Sequence, residues 1–119
     1  MIKENPKYVE KLWGEEIWLV NNDKYCGKLL IVNRNARCSV HSHPKKQETF
    51  KAIEGFALLT INGKEYMLAP FTRPKTILPG EVHSFYGITE CVILEISTHH
   101  DDEDVIRYTK SEPGKLDSE

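Results

Sequence analysis

The sequence predicts an all-β domain, an antiparallel sandwich or barrel. Three observations predict it. Short apolar runs recur along the chain with turn signals about every ten residues. Asn62-Gly63 stands between two strand-like runs, the strongest short-range signal for a hairpin with a type I′ turn. Helical patterning is confined to the neighbourhood of the two ends.

The elements follow in order. The first dozen residues are polar and contain Pro6, and read as an arm or a short helix. Strand-like character begins at "EEIWLVNN" (15–22). "GKLLIVN" (27–33) is a short apolar run rich in branched residues, and "RCSVHSH" (37–43) alternates polar and apolar side chains. "ETFKAIEG" (48–55) ends in glycine, and "FALLTINGKEYMLA" (56–69) holds the hairpin. "KTILPGEVHSFYG" (75–87) has a Pro79-Gly80 turn and then a strand. "CVILEIS" (91–97) has the composition of a buried strand. In "STHHDDEDVIRYTK" (97–110), Ser97 or Thr98 is a candidate N-cap with acidic residues in the first turn, which predicts a short helix. The polar "SEPGKLDSE" (111–119) reads as disordered.

Length and charge set bounds. A chain of 119 residues fits one compact domain with a modest core and no room for a separate cofactor-binding domain. Sixteen basic and 18 acidic residues give a net charge of −2, which argues against a nucleic-acid-binding face. No apolar run is long enough to span a membrane, and the N-terminus lacks the apolar segment of a secretory signal. A cytoplasmic location is therefore expected. The three cysteines, Cys26, Cys38 and Cys91, form no CxxC pair and read as reduced, partly buried thiols.

The chemistry concentrates in "HSHPKKQE" (41–48). Alternate side chains of a strand share a face, so His41 and His43 point the same way. Glu48 begins the next strand after a bend, and His83 follows the Pro79-Gly80 turn on another strand. Imidazoles with a carboxylate suit Mn, Fe, Ni, Co or Zn rather than Ca or Mg. Against this stands the simpler reading, that each is an ordinary surface or core histidine. Lys28 opens the apolar run "KLLIV" and Glu95 lies inside "CVILEIS", where charges are unexpected. A snorkelling lysine and a carboxylate paired on an outward face would explain them equally.

"HSHPKKQETFKAIEG" (41–55) resembles the first motif of the cupins, and "PGEVH" (79–83) the core of the second, whose closing Asn is replaced here by Gly87. The resemblance covers residues 13 to 107. It implies a single-domain jelly-roll barrel, or double-stranded β-helix, over 13–108, here with short terminal helices. An N-terminal arm (1–12) and a flexible tail (109–119) complete the expected map. It also implies that His41, His43, Glu48 and His83 bind a divalent transition metal, Mn in the first place, with Zn, Fe, Co or Ni open.

"WGEEIWLVNNDKYCGKLLIV" (13–32) and "LEISTHHDDEDVIR" (94–107) resemble the sugar-handling branch of cupins. Similar segments occur in type II phosphomannose isomerases (mannose-6-phosphate isomerases), in D-lyxose isomerases and in cupin domains attached to sialic acid synthases. That resemblance implies catalytic roles for Lys28 and Glu95. Arg107 falls at a basic position of the phosphomannose isomerase segment and is a weaker candidate for sugar or phosphate contact. Lys45 and Lys46 are further weak candidates, with a solvated charged loop as the default. His99 and His100 are solvated at a helix start or line the mouth.

The expected function is metal-dependent aldose–ketose isomerisation of a sugar or sugar phosphate. The alternative is a non-catalytic, metal-containing sugar-binding cupin. An iron dioxygenase fits the ligands but not the sugar-branch segments. The "THHDDED" segment departs from the lyxose isomerases, and the chain is shorter than those enzymes. The expected partners are a small-molecule sugar, no nucleic acid and no membrane. A homodimer is expected through sheet faces or exchanged N-terminal strands, with "KLWGEEIWLV" (11–20) at the contact.

Overall fold

The computed structural model describes residues 1–114. Eleven strands and no helix are present among them. They are β1 (Lys7–Lys11), β2 (Gly14–Asn21), β3 (Cys26–Val32), β4 (His41–Ser42), β5 (Glu48–Glu54), β6 (Ala57–Ile61), β7 (Lys64–Leu68), β8 (Lys75–Ile77), β9 (His83–Gly87), β10 (Cys91–Ser97) and β11 (Ile106–Arg107). They form two antiparallel sheets, β1-β2-β3-β10-β5-β8 and β11-β4-β9-β6-β7. Non-sequential neighbours such as β3-β10-β5 are the crossovers of a jelly roll, and the predicted all-β barrel is what forms.

The alternation of side chains along three central strands creates the interior. Cys26, Lys28, Leu30 and Val32 of β3 are buried, while the residues between them are half-buried. Glu48, Phe50 and Ala52 of β5, and Cys91, Ile93, Glu95 and Ser97 of β10, share that inner face. Register aligns Cys91 with Val32, Ile93 with Leu30 and Glu95 with Lys28. One half of the interior is therefore apolar and the other ionic. Trp13 and Phe85 meet edge to face with centroids 5.0 Å apart and belong to the same core cluster as Leu30, Phe50, Leu59 and Ile93.

The Asn62-Gly63 hairpin forms as predicted, with φ of 49° and 81° at its two turn residues and Ile61 paired to Lys64. Three expectations fail. The short terminal helices are not formed. Residues 101–104 make only a turn, closed by the Asp104 amide on the Asp101 carbonyl, and Ile106–Arg107 pairs with β4 instead. Partners elsewhere in the fold take the polar groups that a helix would need: Asn21 clamps the backbone of His100, and the Asp104 carbonyl accepts from His43. The arm of residues 1–12 contains a strand, β1, that closes the edge of β2.

Thirdly, the tail expected from residue 109 is docked over its first part. Thr109 and Ser111 hydroxyls accept from the amides of Val40 and Ser39, and Glu112 exchanges two backbone hydrogen bonds with Arg37. Residues 115–119 of that expected tail lie outside the described residues. The same contacts explain why "RCSVHSH" is a strand only at His41–Ser42: much of its backbone bonds to the 108–112 segment rather than to a continuous ladder. No helix among the described residues is long and apolar enough to cross a membrane. All three cysteines are free and buried.

Candidate metal centre and its charged neighbour

His41, His43, Glu48 and His83 come together, with their ligand atoms all within 4.8 Å of one another. Two sheets supply them. His41 on β4 is in register with His83 on β9, and their rings lie 4.3 Å apart. His43 follows β4 directly, and Glu48 opens β5 after the Pro44–Gln47 turn. That turn is not a solvated loop. The buried Asp104 carboxylate accepts the amides of Lys45 and Lys46 at 2.9 and 3.0 Å, and the Gln47 and Thr98 segments bond to each other.

Each imidazole is held by its outer nitrogen. Nδ1 of His41 lies 2.7 Å from the Ser39 carbonyl, that of His43 2.8 Å from the Asp104 carbonyl, and that of His83 2.9 Å from the Glu81 carbonyl. A carbonyl can only accept, so each Nδ1 carries a proton and each Nε2 is turned inward. Burial, then the neighbouring His83, pushes the His41 pKa down to about 3. Burial and then the Lys46 ammonium lower that of His43. Burial alone would push Glu48 up; contact with His83 and Lys46 outweighs it and holds the carboxyl below the usual range.

His83 Nε2 and Glu48 Oε1 lie 2.8 Å apart, yet neither has a hydrogen-bond partner among the described residues. The distance alone would suggest an ion pair. With Nδ1–H donating to the Glu81 carbonyl, Nε2 is the nitrogen turned toward the Glu48 carboxylate and the other ligand atoms. These two orphaned buried atoms belong to a set of three imidazoles and one carboxylate, a donor set that a divalent transition metal fits.

Beside this cluster is a second group of charges, lining the same cavity of about 110 Å³. Lys28 is 1% exposed and Glu95 4%, both on the inner face and paired across β3 and β10. The surface alternatives for both residues therefore fail. Lys46 is also buried, against its default as a solvated loop residue. Its Nζ lies 3.1 Å from Glu48 Oε2, 3.3 Å from Glu95 Oε2 and 3.2 Å from His100 Nδ1. An ammonium has three protons, so Lys46 is saturated. Burial would lower its pKa, but Glu95 and Glu48 outweigh that and raise it.

Lys28 Nζ lies 3.4 Å from Glu16 Oε1, 3.2 Å from His100 Nδ1 and 4.1 Å from the centre of the Trp18 ring. It has one proton beyond those two hydrogen bonds. Burial and the charge of Glu48 push the Glu95 carboxyl up, against the lysines. Only its Oε2 is hydrogen-bonded among the described residues.

Arg107 lines the cavity from β11, is exposed, and has no ion-pair partner among the described residues. Lys45 is exposed and does not line it. His99 is exposed, whereas His100 lies in the site. Sequence reasoning missed Glu16, Asn21 and Asp104. Glu16 could have been found: it shares a face of β2 with Trp18, which is in register with Lys28.

No family model matches the chain. The chain is 31% identical to a D-lyxose/D-mannose isomerase of Thermosediminibacter oceani, over 71% of this chain and 61% of that protein. It is 30% identical to a D-lyxose ketol-isomerase of a Thermofilum species, over 69% of this chain and 47% of that protein. In structure, 96% of the chain superposes on 35% of the capsular polysaccharide assembling protein CapF from Staphylococcus aureus, with a TM-score of 0.72 at 14% identity. The chain has the fold of a cupin barrel. Its resemblance lies with the sugar-handling branch of these barrels. The chain spans about half the length of the curated relatives it matches.

Proposed function

We propose that this protein is a metal-dependent isomerase that moves a proton between neighbouring carbons of a sugar. The observation that carries the reading is the convergence of Lys28, Glu95 and the His41–His43–Glu48–His83 cluster on one buried cavity. His41, His43, His83 and Glu48 would hold a divalent metal, with Mn our first choice. When bound, the metal would supply Lewis acidity, polarising a carbonyl and holding the adjacent hydroxyl.

The remaining chemistry belongs to the chain. Glu95 has the raised pKa that suits a general base, and its free Oε1 would take the proton from the carbon beside the carbonyl. Lys28 has the proton left over to meet the oxygen on which charge develops, and Trp18 and Glu16 hold it in place. Saturated Lys46 contributes its charge, not a proton. Trp13, Phe50 and Phe85 keep water from the opposite wall. Arg107 at the mouth is placed to meet a sugar hydroxyl or phosphate, while Lys45 is set aside on its position.

One observation favours a second reading, a sugar-binding cupin without turnover. Glu95 shares Lys46 with Glu48, so one of its two carboxylate oxygens is already engaged.

Proton NMR in D2O on the Mn-loaded protein separates the two, with a panel of aldoses, ketoses and their 6-phosphates. Loss of a C1 or C2 proton signal, abolished in Glu95→Gln and Lys28→Ala, is the expected result. Paramagnetic broadening of one sugar without exchange would establish binding alone. Neither effect across the panel would remove the sugar reading.

A further inference from the structure

The ionic half of the cavity is organised around a residue that neither the metal cluster nor the proton chemistry above uses. We propose that His100, backed by Asp102, is the positioning residue for both buried ammonium groups, presenting one Nδ1 lone pair to Lys28 and Lys46 together. The consequence for turnover rests on the isomerase reading; the arrangement itself does not.

Three sets of contacts fix the ring. Lys28 and Lys46 each place Nζ 3.2 Å from Nδ1, and lysine can only donate, so Nδ1 carries no proton. The proton is therefore on Nε2, which donates to Asp102 Oδ1 at 2.8 Å. The backbone is clamped by a single side chain: the His100 amide donates to Asn21 Oδ1 at 2.9 Å, and its carbonyl accepts from Asn21 Nδ2 at 3.0 Å. Trp18 meets the ring edge to face at 4.8 Å, and the same indole carries Lys28 on its face. Burial, then the two lysines, push the His100 pKa down to about 4, in keeping with a neutral ring.

The arrangement decides what each lysine has left. With His100 as acceptor, Lys46 has no free proton and Lys28 has one. Without it, Lys46 regains a proton and competes for a substrate oxygen, while Lys28 falls back on Glu16. His100 thus makes the two ammonium groups unequal. Asp102 acts one step further out. Its carboxylate is 82% exposed and has no hydrogen bond to either lysine among the described residues, but it accepts the Nε2 proton of the tautomer that leaves Nδ1 bare.

The test begins with NMR on 15N-labelled protein at pH 7. The His100 ring should show a bare Nδ1 and a protonated Nε2. Lys28 and Lys46 ammonium signals should be protected from water exchange in wild type and in His100→Asn, whose Oδ1 can replace Nδ1, and lost in His100→Ala. An Nδ1–H tautomer, an imidazolium, or lysine signals unchanged in His100→Ala would overturn the proposal. Asp102→Ala, at an exposed side chain, should fold and speed solvent exchange of the His100 Nε2 proton; an unchanged exchange rate would remove Asp102 from the proposal.

Deuterium exchange into a sugar supplies the second arm. His100→Ala should lower kcat about 10- to 100-fold with KM little changed, and His100→Asn should recover most of the loss. A rise in KM alone, or no rescue at equal Tm, would overturn a positioning role. If wild type exchanges no sugar, the isomerase reading falls and the NMR arm still decides the role of His100.

Discussion

Two ends of one barrel are built from the same three strands and buried to the same depth, yet their chemistry is opposite. At one end Val32, Ala52 and Ile93 are 0–1% exposed and belong to the apolar core cluster. Two or four residues further along β3, β5 and β10, Lys28, Glu48 and Glu95 are as deeply buried. The apolar end stabilises the fold by about 1.5–3 kcal/mol per large side chain removed from water. The ionic end has no such gain. Desolvation of each charge has to be offset by partners, so nearly every charged or imidazole group there has a specific one. The lesson is that burial alone does not say which part of a barrel holds it together.

The largest test of this contrast is Lys46→Met, which strips Glu48 and Glu95 of their shared cation. Breaking a buried network from one side costs about 3–5 kcal/mol, to be read in urea denaturation of the metal-free protein. Adding Glu95→Leu should recover much of that loss, because one uncompensated carboxylate leaves with it. A neutral Lys46→Met would mean that the ionic end is solvated after all.

Ile93→Ala probes the other end. It should cost about 2–5 kcal/mol through lost transfer energy and a cavity. Metal content per chain, measured by mass spectrometry, should stay at the wild-type level. A fall in metal content would show that the two ends are not separable.

Mn2+ at a hundredfold excess over its Kd should stabilise the protein by about 2.7 kcal/mol, visible as a rise in Tm. His83→Ala should abolish that rise, and Ile93→Ala should keep it.

The last test is pH dependence without metal. His41 and His100, with folded pKa values of about 3 and about 4, and His43, also lowered, stay neutral when folded but take up protons on unfolding below their ordinary value of 6.5. The unfolded state then binds more protons, so stability falls as pH drops from 7 toward 4. The lowered Glu48 acts in the same direction below pH 4.5, and the raised Glu95 opposes it. Denaturation midpoints at three pH values would check the sign.

Much of the site was legible in the sequence because it follows strand alternation. Lys28 and Glu95 interrupt apolar runs, and the His41, His43, Glu48 and His83 pattern is local to two motifs. What escaped depends on distant contacts. Lys46 reads as one more surface lysine until Glu95, 49 residues away, is placed beside it. The helix expected after Ser97 had suitable capping residues, but Asn21, 79 residues away, outcompetes it for the backbone of His100. Asp104 reads as a first-turn helical acid and is instead the anchor of the ligand turn.

Asn21, Asp104, Thr109 and Ser111 hold the cavity wall opposite the central sheet by individual side-chain hydrogen bonds, whereas β3, β5 and β10 are held by continuous ladders. Local opening is easiest where the fewest cooperative bonds must break. Amide protons of residues 98–112 will therefore exchange sooner than those of β3 and β10, and His100, Asp102, Val105, Arg107 and Ser111 of this stretch line the cavity. The cavity thus has a rigid floor that sets its chemistry and a looser rim that sets its traffic. Changes to the rim alter rates of entry and release before they alter what the floor can do.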